Sequence, residues 1–301
     1  MKIDSKFANA IESGDFIITA EYLPVAGTDS SVIASTADSL GKSVLAVNVA
    51  DNHYGVAISS LAASVAFLKA GVEPVFQIVT RDRNRIALQS DLLGATYLGI
   101  KNVLCLSGYH QTLTGSPESA NVYDIDSIQL VAAVRKMRDE GVLMDGTKIV
   151  GEFSMLIGAV ANPSQTPLEL NIIRLNKKVE AGADFIQTQA VFDIEAFSQW
   201  LDTARSEGIA EKTAILAGVM PLEDTAEAER LRETYTDLHI PDELIERLKA
   251  ADSEEAQKKE GLAICSETIK KIKNMNGVRG IHILSGGKEA LVPELLAVSG
   301  L

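Results

Sequence analysis

Short runs rich in β-branched and aliphatic residues alternate along this chain with longer stretches whose apolar positions recur every three or four residues. The short runs predict strands at 16–21, 44–49, 74–79, 102–106, 148–152, 185–188, 214–219 and 280–284. The longer stretches predict helices near 32–40, 59–69, 85–98, 125–140, 167–181, 194–206 and 225–234. Two further helices, near 242–251 and 253–275, precede the last strand, and one near 288–298 follows it. Several helices end on the same punctuation, Ala70-Gly71, Glu140-Gly141, Ala181-Gly182 and Glu207-Gly208, where glycine accepts the left-handed conformation that stops a helix.

The strands are almost wholly apolar, as expected when both faces of a parallel sheet are covered. Eight strand–helix units favour an α/β fold, a (β/α)8 TIM barrel with additional helices before the last strand, over an open doubly wound sheet. Neither a linker nor a low-complexity segment interrupts residues 1–301, so one domain is expected.

Composition narrows the function. The chain has 28 basic and 41 acidic residues, a net charge of −13, which disfavours nucleic-acid backbones and anionic membranes. Its two cysteines, Cys105 and Cys265, cannot build a disulfide framework, and no Cys/His spacing suggests a zinc or iron–sulfur site, so no metal is expected. The opening residues Met1-Lys2-Ile3-Asp4 lack the apolar stretch of a leader, and no apolar run reaches membrane-spanning length. The expectation is a soluble, cytoplasmic protein.

In a barrel of this kind the chemistry sits at the carboxyl ends of the strands. Polar residues that break or follow apolar strands are therefore the candidates: Glu21, Asn48, Asp51, Gln77, Arg81, Asp82, Ser107, Tyr109, His110, Glu152, Thr188, Gln189 and Ser285. Glu21 ends an apolar strand, where desolvation raises a carboxyl pKa and suits it to acid catalysis. A buried structural Glu paired with Arg81 or another base explains the same position equally well. Of the three arginines in Thr80-Arg81-Asp82-Arg83-Asn84-Arg85, Arg81 is placed in the site, and Arg83 and Arg85 are read as surface partners of Asp82 and Asp91. Gln189 offers an amide to a heterocycle edge. Asn171, Arg174 and Lys178 share a helix face, which by itself reads as a solvated surface. Ser285-Gly286-Gly287-Lys288 reads as an anion cradle or as a tight turn with an exposed lysine. His239 is read as structural and His282 as a satisfied core residue, while His53 and His110 lie in mouth loops.

Taken in order, several segments resemble the methylenetetrahydrofolate reductase family from about Phe16 to Pro293. They are Glu21-Tyr22-Leu23-Pro24, Thr80-Arg81-Asp82-Arg83-Asn84-Arg85 with Asp91-Leu92-Leu93-Gly94-Ala95, Asn102-Val103-Leu104-Cys105-Leu106-Ser107-Gly108, Val122-Tyr123-Asp124, Ala181-Gly182-Ala183-Asp184-Phe185-Ile186-Gln187-Thr188-Gln189 and Ile240-Pro241-Asp242. The resemblance implies FAD at the barrel mouth and reduction of 5,10-methylenetetrahydrofolate to 5-methyltetrahydrofolate. It makes Glu21 the acid, with Gln189, Thr188 and Lys288 binding the tetrahydrofolate substrate. It assigns FAD to Asn48, Gln77, Ser107, Gly108, Tyr123, Asp124, Asn171, Arg174 and Lys178, which turns the basic helix face from solvent to cofactor phosphate, and Arg81 and Tyr109, by their places at the mouth, join the expected cofactor site. NAD(P)H or a redox partner protein would supply electrons, and a homo-oligomer is compatible with the resemblance. One departure stands out: the family's usual Gly-Asp after the fourth strand is Gly108-Tyr109 here. Two alternatives stay open, a flavin-free methyl-folate relative that transfers or removes methyl groups, and a non-catalytic subunit of a redox complex.

Overall fold

The computed structural model describes residues 3–235 and 238–301, so Met1 and Lys2 of the leader reading lie outside the described residues. Eight parallel strands, β1 (Ile17–Tyr22), β2 (Ala46–Val49), β3 (Pro74–Val79), β4 (Asn102–Leu106), β5 (Leu156–Ala161), β6 (Phe185–Ala190), β7 (Ala214–Val219) and β8 (Val278–Ile283), form a sheet in chain order. The sheet closes when β8 pairs with β1, with Thr19 opposite His282. The chain is thus a (β/α)8 barrel, and the open sheet is excluded.

The outer ring runs α2 (Ser30–Leu40), α3 (Ser60–Lys69), α4 (Arg85–Tyr97), α5 (Ser127–Glu140), α6 (Leu168–Ala181), α7 (Ile194–Ser206) and α8 (Thr225–Thr234). The extra helices α9 (Asp242–Lys249) and α10 (Glu254–Lys273) precede β8, and α11 (Val292–Ser299) ends the chain. An eight-residue helix not anticipated from the pattern, α1 (Lys6–Ser13), comes before β1. Ser5 caps it, and the Glu73 carboxylate accepts from the free N–H groups of Lys6 and Phe7.

Alternate residues of each strand face opposite ways, and the two sets separate into two cores. Ala20, Val47, Phe76, Val103, Ile157, Ile186 and Ile215 pack outward against helix residues such as Leu40, Phe67, Leu92 and Trp200. Ile17, Ala46, Val75, Leu104, Leu156, Phe185 and Leu216 fill the lower barrel interior together with Phe7 of α1. The Phe7 and Phe185 rings lie 4.6 Å apart, so α1 plugs the amino-end floor. Gly158 makes room for Phe185, whose ring a Cβ there would meet at 2.2 Å.

One strand expectation is wrong. Residues 148–152 are not β5: Lys148 makes a single antiparallel bridge to Val142, and Val150 is fully exposed. The true β5 is the small-residue run Leu156–Ala161. Glu152 consequently lies exposed outside the barrel, away from the mouth.

Candidate active site at the barrel mouth

Above the apolar floor the inward-facing positions turn polar. Thr19, Asn48, Gln187 and His282 form one buried layer across the barrel. The Asn48 and Gln187 amides exchange hydrogen bonds at 2.7 and 3.1 Å, and Gln187 Nε2 also donates to Thr19 Oγ1 at 3.1 Å. Asn48 is therefore occupied inside the barrel. His282 lies 2.9 Å from Thr19 through Nδ1, and burial pushes its pKa down to about 3, so it is neutral.

Two residues further along the strands, a cavity of about 260 Å³ opens at the carboxyl ends. It brings together the candidates Glu21, Asp51, Gln77, Arg81, Ser107, Gly108, Tyr109, Lys178, Thr188 and Gln189, from β1, β3, α6, β6 and the loops after β2, β3 and β4. Val79, Leu104, Leu106 and Val160 give it apolar walls. A smaller chamber of about 60 Å³ adjoins it and shares Glu21, His53, Tyr109 and Gln189.

Glu21 is only 6 % exposed and has no cationic partner among the described residues, so the structural reading that paired it with Arg81 does not hold. Burial, and then repulsion from Glu289, raises its pKa to about 7 against the opposing bond from the Gly286 backbone. Glu289 itself accepts from Leu23 N and Ser285 Oγ, which fixes the repelling charge.

Arg81 lies in the cavity wall, but its donors are committed to Asp82 at 2.7 and 2.9 Å and to the Asn52 and Tyr109 carbonyls. It shapes the mouth rather than offering a free fork. Arg83 pairs with Asp91, as expected, and also with Asp51, while Arg85 pairs with Asp124. Gly108 takes a positive φ of 83°, and this turn swings Tyr109 over the cavity. There the Tyr109 hydroxyl accepts from Gln189 Nε2 at 3.3 Å, and its ring packs 5.1 Å from Tyr235 and 5.7 Å from His53.

Lys178 reaches in from α6, donating to the Val160 carbonyl at 2.6 Å, and burial followed by the Arg174 charge lowers its pKa to about 8. The remaining candidates stand apart from the cavity. Asn171 locks the loop after β5 by donating to the Asn162 and Gln165 carbonyls and accepting from Trp200 Nε1. Tyr123 donates to the Gly108 carbonyl from a half-exposed position, and Asp124 is held by Arg85. Lys288 is bound to Glu227 at 2.6 Å, and Ser285-Gly286-Gly287 folds as a tight turn with Gly287 N donating to Ser285 Oγ. His110 caps a short turn. His53, Tyr54, Tyr235, Gln187 and His282 complete the site's surroundings. The strand pattern did carry a signal for Gln187, which sits two residues before Gln189, but none for His282, which stands between Gly280 and Leu284.

Fold and site together define a (β/α)8 barrel whose polar groups converge on one cavity at the carboxyl ends of its strands. A sequence profile described as methylenetetrahydrofolate reductase matches residues 6–300, and the chain belongs to that family. A probable methylenetetrahydrofolate reductase (NADPH) of Caenorhabditis elegans is 23% identical over 81% of this chain and 34% of its own length. The 5,10-methylenetetrahydrofolate reductase of Escherichia coli is 25% identical over 61% of this chain and 55% of its own length. The chain thus spans about a third to just over half of the length of these relatives. In structure it is similar to an uncharacterized protein from Clostridium thermocellum that binds two copies of 5-methyl-5,6,7,8-tetrahydrofolic acid, with a TM-score of 0.64, 13% identity, and coverage of 96% of this chain and 99% of that one. Among the described residues no helix is long and apolar enough to cross a membrane.

Proposed function

We propose that this chain reduces 5,10-methylenetetrahydrofolate to 5-methyltetrahydrofolate at the barrel mouth, with Glu21 as the acid. The observation that carries the reading is a buried, ion-pair-free carboxyl with a pKa of about 7, across one cavity from the Gln189 amide. Opening the methylene bridge requires a proton on the departing folate nitrogen, and an acid that still holds its proton near neutrality supplies it. Gln189 binds the pterin edge, Thr188 braces it by donating to the Gln189 carbonyl while accepting from Gly218 N, and the apolar walls exclude water from the reacting carbon. Family membership and the methyl-folate-binding structural neighbour support the substrate class.

The donor set suits a flavin ring. Apolar panels from Val79, Leu104 and Val160 suit its flat faces, the Gln77 amide and Ser107 hydroxyl suit its polar rim, and the Lys178 amine suits its electron-rich edge. Arg174, on the same helix, would meet the cofactor's phosphates. FAD, when bound, supplies the hydride that the methylene carbon receives. Electrons would come from NAD(P)H or a partner protein.

A second reading, methyl-folate binding without flavin, is favoured by one observation. Tyr109 lies against Gln189 in the wall of a cavity of only about 260 Å³, which favours a single heterocycle over a flavin and a folate together. An anaerobic visible spectrum before and after adding 5-methyltetrahydrofolate separates the two. A flavin spectrum that bleaches supports the reductase. A protein that stays colourless and inert after FAD is supplied overturns it in favour of the flavin-free reading.

A further inference from the structure

His282 belongs to no part of the reaction described above, yet its ring lines the cavity while being 3 % exposed. Its surroundings decide which ring nitrogen carries the proton. Asn48 Nδ2 donates to Gln187 Oε1, which turns the Gln187 amide nitrogen toward Asn48 Oδ1 and Thr19 Oγ1. Both Gln187 protons are then used. Thr19 Oγ1, already accepting from Gln187, has Nδ1 of His282 as its remaining partner at 2.9 Å. The hydroxyl therefore donates to Nδ1, and in a neutral ring the proton must sit on Nε2. Among the described residues Nε2 has no hydrogen-bond partner.

We propose that the Thr19–Gln187–Asn48 layer fixes His282 as a neutral Nε2–H donor aimed into the cavity floor, where it binds an acceptor atom of a heterocyclic ligand. Its burial, with no charged group driving the shift, keeps the ring neutral and so keeps Nδ1 able to accept. A neutral donor suits a carbonyl oxygen or an unprotonated ring nitrogen, and it leaves the proton of Glu21 as the transferable one in the cavity. His282 is thus a positioning residue. The ligand half of this inference rests on the folate reading; the tautomer does not.

The tautomer is read directly from a long-range ¹H–¹⁵N correlation spectrum of ¹⁵N-histidine-labelled protein at pH 7, with His282→Gln used to assign the signal. The expected result is an Nε2–H tautomer that loses its preference in Thr19→Val. An Nδ1–H tautomer overturns the proposal. The binding role is read from the dissociation constant of 5-methyltetrahydrofolate. Glutamine places its amide nitrogen near the Nε2 position, and asparagine mimics only Nδ1. His282→Gln should bind within about 3-fold of wild type, and His282→Asn should weaken binding about 10-fold, the scale of one neutral hydrogen bond. Equal affinity in both variants, or the reverse order, overturns the donor role, and far-ultraviolet spectra and unfolding midpoints identify any variant that has not folded. Failure of the wild-type chain to bind this folate overturns the folate reading instead, and the spectrum alone then decides the tautomer.

Discussion

Glu21 concentrates the chemistry of the site in one proton, and that proton also leaves a mark on stability. Its folded pKa of about 7 lies above the ordinary value of 4.5. Between those two values the native chain holds a proton that the unfolded chain has released. Stability from this group is therefore complete below about pH 4.5 and declines as the pH rises through 7, by about 1.4 kcal/mol per unit and about 3 kcal/mol in all. Glu21→Gln, which cannot ionise, removes that decline. Urea unfolding should give the variant and wild type similar stability near pH 4.5, with the variant the more stable at pH 8. Parallel pH profiles would mean that the carboxyl ionises in the fold as readily as in the unfolded chain. The same variant should lose folate reduction by about 10²-fold or more if the carboxyl is the acid, measured as turnover with saturating substrate. Near-normal turnover would remove Glu21 from that role. The two readouts together separate the residue's catalytic contribution from its cost to the fold.

Among the elements, those with strong periodicity were legible in the sequence and those shaped by packing were not. β3, β4, α7, β7 and α8 coincide with the expected ranges because β-branched runs and clean helical spacing bound them. β5 was misplaced because its own run, Leu-Ile-Gly-Ala-Val-Ala, is short of bulky β-formers, while Lys148-Ile149-Val150-Gly151-Glu152 imitates a half-buried strand. Its small residues answer a tertiary demand, the Phe185 ring beside Gly158, that no local pattern announces. The site followed the same division. Strand-end polar residues such as Glu21, Gln77 and Gln189 were found by position, because barrel geometry aims them at one mouth. The partners of Lys288 and Asn171, Glu227 and the loop after β5, were not legible because they are distant in sequence or folded back onto the helix. α1 escaped notice for a related reason, since Phe7 is its one large fully buried side chain, beside the small Ala8 and Ala10. Phe7→Ala should cost about 3–5 kcal/mol, the range for emptying a buried phenylalanine site. Denaturant unfolding measures it, and a loss under about 1 kcal/mol would show that α1 rests on the barrel without closing its floor.

For the molecule as a whole, the net charge of −13 stands against the anionic ligands that the reading requires. The resolution lies in how the cations are used. Arg81, Arg83, Arg85 and Lys288 are each tied to a carboxylate, so they cancel locally and project little field from the mouth. Lys178 bonds a backbone carbonyl rather than a carboxylate, but it is buried and acts only on a ligand already inside. An approaching folate, with its glutamate carboxylates, therefore meets the long-range field of the acidic envelope first. Salt screens that field beyond about 10 Å at 0.1 M but hardly reaches contacts within a closed cavity. Raising the salt from about 0.01 to 0.15 M should thus accelerate association of 5-methyltetrahydrofolate severalfold and leave its dissociation rate nearly unchanged, as stopped-flow binding would record. A fall in the association rate would mean that the mouth presents a net positive field despite its ion pairs. The basic face of Arg174 and Lys178 would then attract the ligand from a distance, and the acidic surface elsewhere would serve solubility alone. A salt-independent association rate would mean that the acidic envelope does not reach the mouth and that the ligand meets no net field on approach.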